Sequence, residues 1–164
     1  MGTRNPRILD ADLTGPSAWT ATTVSAADWR IPVSDACLAE LEGVIGGLRT
    51  NPLPTILLDP TDFALGACRV LAHTVRDTLE NGVGFAVLDR LNLSGLTEDE
   101  SKALYWLISN MVSRVVAGAW DGRMLHDVVD TRQKLGLRVR GDLTNQEIQW
   151  HTDHEDLPKA GGRL

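Results

Sequence analysis

Apolar positions recur at three- and four-residue spacing in three stretches of the chain, and this recurrence predicts three amphipathic helices. The first follows Ser34, a good N-cap, and carries Cys37, Leu38, Leu41, Val44, Ile45 and Leu48 on one stripe. Gly46-Gly47 weakens its last turn, and Pro52 and Pro54 forbid continuation. The second follows Asp62. Its stripe is Leu65, Cys68, Leu71, Val75 and Leu79, and Asn81-Gly82 stops it. The third opens on the capping-box pair Thr97 and Glu100. Leu104, Leu107, Ile108, Met111 and Val115 form its stripe, with Tyr105 and Trp106 beside it. Between the second and third helices, the short apolar run 84–89 predicts a buried strand. After Gly122 the period changes to alternation, and 124–130, 135–139 and 147–152 read as short strands with polar turns between them. Helices first and strands after make an α+β layout.

Residues 1–33 lack a period and are rich in Thr, Ser, Pro and Ala. They read as an extended arm with a short strand, anchored by Trp19 and Trp29, since indole rings favour packing over water. Residues 34–164 then read as the N-terminal part of one domain. The 164 residues carry 16 Lys plus Arg against 22 Asp plus Glu, a net charge of -6. That balance argues against nucleic acid or anionic membrane as a partner, because both need clustered positive charge. No apolar run approaches the ~20 residues that span a bilayer, and no secretory signal is visible near Met1. A cytoplasmic location is therefore expected, with Cys37 and Cys68 as reduced, structural thiols.

The stretch with chemistry is Gln146-Glu147-Ile148-Gln149-Trp150-His151-Thr152-Asp153. Strand alternation points Gln149, His151 and Asp153 to one face and Ile148, Trp150 and Thr152 to the other. An imidazole and a carboxylate two residues apart can then share one metal ion. With a second His from elsewhere they make the two-His-one-carboxylate face that suits Fe(II) and leaves positions open. A second copy, His154-Glu155-Asp156, lies in a polar stretch where alternation does not fix its orientation. Elsewhere the plainer roles win. His73 reads as a solvated helix residue, His126 as a structural one, Arg138 and Arg140 as a salt-bridged strand edge, and Trp150 as core. No Gly-rich phosphate loop and no Ser-His-Asp or Cys-His arrangement is legible.

The pieces Leu125-His126-Asp127-Val128-Val129-Asp130, Arg138-Val139-Arg140-Gly141, Thr144-Asn145 and Trp150-His151-Thr152-Asp153 together resemble the TauD/TfdA family of Fe(II)/2-oxoglutarate-dependent dioxygenases. Leu79-Glu80-Asn81-Gly82 followed by Gly84-Phe85-Ala86-Val87-Leu88 is similar to the entry of that fold, so the resemblance spans roughly residues 29–156. It implies N-terminal helices and the first strands of a double-stranded β-helix, a jelly roll of the clavaminate-synthase-like kind. It also implies that His151 and Asp153 are the first two iron ligands, with Asn145, Gln149 and Tyr105 in the vicinity of substrate or co-substrate. The implied reaction hydroxylates a small-molecule substrate with O2, coupled to oxidative decarboxylation of 2-oxoglutarate.

The chain departs from the family after this motif. The family's second iron-binding His and its 2-oxoglutarate-binding Arg lie far downstream, whereas the sequence ends 11 residues after Asp153 with a polar tail. The barrel cannot close with these strands. The expectation is thus an N-terminal portion, weakly active or inactive alone. The alternative is a catalytically dead truncated product that binds or dimerises through its uncovered strand edge.

Overall fold

The computed structural model describes residues 11–117, 122–133 and 143–147. They fall into two compact units, one ending at Val116 and the other starting at Ala117.

The first unit is a layer of three long helices with a single-turn helix and a small strand pair. Its order is α1 (Ala26–Trp29), β1 (Arg30–Ile31), α2 (Asp35–Thr50), α3 (Gly66–Glu80), β2 (Val87–Leu88) and α4 (Glu98–Val112). Two 3-10 turns, Thr55–Leu57 and Pro60–Asp62, link α2 to α3. The predicted stripes face one another except at their ends, where Leu79 is 40% exposed and Val115 lies beyond α4. Cys37, Leu41, Val44 and Ile45 of α2, Cys68, Leu71, Ala72 and Val75 of α3, and Ala103, Leu104, Leu107 and Met111 of α4 are all buried. α3 lies between the other two and packs against both. Trp106 belongs to this core rather than beside it, and its indole N–H donates to the Leu58 carbonyl at 2.9 Å. Among the described residues no polar or charged side chain is buried.

The helix ends show how the layer is held. α2 starts where Ser34 predicts, with Ser34 Oγ accepting from the Cys37 N–H. α4 starts on the complete Thr97–Glu100 capping box. α3 differs from expectation. It begins after Leu65, which offers no capping side chain, and Asp59–Thr61 instead shape the 3-10 turn before it. The cap comes from another helix. Glu40 of α2 accepts from the N–H groups of Ala67 at 2.8 Å and Cys68 at 3.0 Å. Arg76 of α3 does the reverse for α4, donating to the last-turn carbonyls of Met111 and Val112, both at 2.8 Å. A carboxylate at a helix N-terminus and a guanidinium at a C-terminus both oppose the local backbone charge.

The arm is anchored as its tryptophans predict. Trp19 donates its indole N–H to the Val83 carbonyl at 2.7 Å, and Phe85 lies between Trp19 and Trp29 at ring-centroid distances of 5.1 and 5.9 Å. β1 pairs in parallel with β2, Arg30 opposite Val87 and Ile31 opposite Leu88. The predicted strand 84–89 is thus only two residues long, and it is not buried: Val87 is 48% exposed. The chain leaves α3 through a tight turn at Gly82, where a Cβ would stand 2.7 Å from the Thr78 carbonyl oxygen.

Cys37 and Cys68 are a disulfide, Cα to Cα 4.8 Å, which corrects the expectation of two reduced thiols. Each occupies the third position of its own helix, so packing the two helix starts together is what joins them.

In the second unit residues 124–130 form no strand, against expectation. The predicted strand 135–139 and all but the first residue of 147–152 lie outside the described residues.

Candidate functional site

The predicted iron ligands His151 and Asp153, with Gln149 beside them, lie outside the described residues. The approach to them is described. Thr131 sends both its N–H, at 2.9 Å, and its hydroxyl, at 2.7 Å, to the Leu143 carbonyl. This closure joins the end of the Leu125-to-Asp130 piece to the start of Thr144-Asn145, two of the pieces that carry the family resemblance. Asp130 Oδ1 accepts from the Arg132 N–H at 2.7 Å, which supports a backbone at Arg132 with φ of 59°. That left-handed conformation is uncommon for a residue with a side chain, and a short local hydrogen bond of this kind offsets part of its cost. Asn145 is exposed, two residues past Leu143. His126 is also exposed, rather than buried as a structural histidine would be. In the first unit Tyr105 is 65% exposed on α4, and His73 is exposed on α3 as its solvated reading predicts.

Four carboxylates of the first unit have structural work. The carboxylates of Asp28, Glu40, Asp59 and Glu100 are all held below their ordinary range. The main cause is hydrogen bonding to Ser25, to the Ala67 N–H, to Thr61 and to Arg49 respectively. Each one caps a turn or helix start, and a carboxylate stabilised as the anion is a poor proton donor. A groove of about 260 Å³ runs between α2 and the loop before α4, lined by Leu41, Ile45, Leu91, Leu96 and Leu104. Its cation, Arg49, is committed to Glu100 at 2.6 Å and to the Gly95 carbonyl at 3.2 Å. Glu42, Asn92 and Ser94 complete its polar lining, and the rest is apolar. Among the described residues no three His, Cys, Asp or Glu side chains gather as a metal site.

Comparison with known proteins adds descent. No family model matches the chain. A curated relative is FR-33289 synthase of Streptomyces rubellomurinus (strain ATCC 31215), 26% identical over 153 residues. The alignment covers 92% of this chain and 45% of the relative, so the chain spans less than half the length of the protein it matches. An alignment of that extent necessarily includes α1 to α4 and residues 143–147. The chain is a distant homologue of a synthase. Within the first unit, no helix is long and apolar enough to cross a membrane, as for all described residues.

Sequence reasoning missed Glu40, Arg76 and the cysteine pair. Their partners lie 27 to 36 residues away, and a local pattern carries no signal for them.

Proposed function

We propose that this chain is part of a non-haem Fe(II)/2-oxoglutarate-dependent oxygenase of the TauD/TfdA type, with His151 and Asp153 as two of the three protein ligands to iron. One observation carries the reading: a His-x-Asp pair in a predicted strand, in a chain that aligns over 92% of its length with a synthase. The donor chemistry fits, since imidazole and carboxylate are the set that Fe(II) takes in such sites. When bound, the iron supplies the oxidative decarboxylation of 2-oxoglutarate coupled to hydroxylation of a small molecule by O2.

The chain's own residues have definable parts. His151 binds as the neutral imidazole and Asp153 as the carboxylate, so protons compete with the metal at both. Asn145 and Gln149 carry amides that can both donate and accept, which suits them to orient a carboxylate co-substrate or a polar substrate. Two ligands hold a divalent ion less firmly than three, so this chain alone binds metal weakly and turns over little.

The test is titration with Co(II), read by visible absorption and calorimetry. Wild-type chain is expected to bind Co(II) at one site, and His151→Ala and Asp153→Ala to abolish it. Binding indifferent to both substitutions would overturn the reading. Little succinate should form from 2-oxoglutarate with Fe(II) and ascorbate.

A second reading rests on the strand pair β1–β2, which has no third strand among the described residues. An open edge can pair with a second copy of the chain. A dimer in light scattering that persists in the presence of a chelator, together with failed Co(II) binding, would favour that reading.

A further inference from the structure

We propose that Cys37 and Cys68 form a reversible redox clasp that sets how firmly α2 holds α3, independently of the metal site. Three observations converge on this pair. The two cysteines are 0% and 1% exposed and occupy matching third positions of two helices that start side by side. Their Cα atoms are 4.8 Å apart, within the range a disulfide spans without backbone movement. Cys68 Sγ also lies 3.4 Å from the Cys37 carbonyl oxygen, a distance at which a reduced thiol donates a hydrogen bond. The reduced pair would therefore have one thiol, that of Cys68, already beside an acceptor.

The chemistry is thiol–disulfide exchange with a small-molecule disulfide as oxidant. One cysteine, as thiolate, attacks a sulfur of the oxidant, whose S–S bond breaks and releases one thiolate. The other cysteine then attacks the mixed disulfide, forms the Cys37–Cys68 bond and expels the second thiolate. Two cysteine protons end on the two released thiols, and the two electrons lost by the protein reduce the oxidant. Since both sulfurs are buried, exchange waits on separation of the two helix starts, and it is slow in the folded chain.

The clasp closes a loop of 31 residues that contains most of α2 and both 3-10 turns. Restricting the unfolded chain in this way favours folding, and opening the bond should raise the unfolding equilibrium constant by on the order of several hundredfold. Glu40 already ties the same two helices through the α3 cap, so the reduced chain keeps its fold.

The test uses the full chain equilibrated at graded ratios of reduced to oxidised glutathione, quenched with acid, alkylated after unfolding and weighed by mass spectrometry. The expected result is interconversion between a form with two alkylated cysteines and a cross-linked form with none. The oxidised form should also show the higher guanidinium midpoint, and Cys68→Ala should remove that difference. The wild-type comparison needs no variant, so it stands even if Cys68→Ala fails to fold. Two alkylatable cysteines at the most oxidising ratio, or equal midpoints for the two wild-type forms, would overturn the proposal.

Discussion

The carboxylate of Glu40 sits 3.0 Å from the backbone nitrogen of Cys68, so one helix supplies the cap that the next one lacks. The Ala67 and Cys68 N–H groups favour its anion and hold its pKa below the ordinary 4.5. A carboxylate with a depressed folded pKa contributes stability that is complete above the unfolded value and lost as pH falls through the folded one. The guanidinium midpoint of wild type should therefore decline below about pH 4.5. Glu40→Gln should lower the midpoint at neutral pH and shrink that acid-side decline. Chemical denaturation at several pH values reads both.

Glu100 is a stronger case of the same effect. Arg49 grips it through two nitrogens at 2.6 and 3.1 Å, and the Thr97 N–H adds a third hydrogen bond at 2.8 Å. Its pKa is pulled down from 4.5 to about 2, first by the Arg49 hydrogen bond and then by the Thr97 N–H. Its stabilisation should fade between pH 4.5 and about 2. Thr97→Ala removes the reciprocal half of the capping box and should cost about 1 kcal/mol in thermal or chemical unfolding at neutral pH.

Leu107 and Tyr105 are near neighbours on α4 with opposite surroundings. Leu107 is 0% exposed, and Leu107→Ala should cost about 2–5 kcal/mol through lost burial and a residual cavity. Tyr105→Ala should stay within about 0.5 kcal/mol of wild type. Equal losses at the two positions would contradict the placement of the helix.

Trp106→Phe should leave the Leu58 carbonyl without its indole donor and cost about 1–3 kcal/mol, measured by the same unfolding curves. Trp19→Phe removes an indole donor too, but in a half-exposed place where water can substitute, so its effect should be smaller.

The helices were legible because their signals are local. Ser34 and the Thr97–Glu100 box are helix starts written within four residues, and the stripes through Leu41, Leu71 and Leu107 need only one helix to be read. The start of α3 was not legible, because Asp62 mimics a cap while the true one arrives from Glu40 on another helix. The run 84–89 is apolar enough to suggest burial, yet Phe85 spends its apolar surface on two arm tryptophans and Val87 faces outward. Cys37 and Cys68 gave no sign of pairing, since nothing near either one encodes the meeting of two helix starts. At the candidate site the described approach was not legible in the sequence, and His151 and Asp153 lie outside the described residues. The Thr131–Leu143 closure depends on a carbonyl 12 residues along the chain.

Gly82 shows how tightly the chain turns out of α3 against that helix's own last turn. The Thr78 carbonyl oxygen fills the space a side chain would need, so even alanine there would push the exit from the last turn of α3 outward. Val83 and Phe85 follow directly and make the seat for Trp19 and Trp29. A single methyl at position 82 would thus be felt first as loosening of the N-terminal residues, far away in the sequence, while the helix that bears it stays intact.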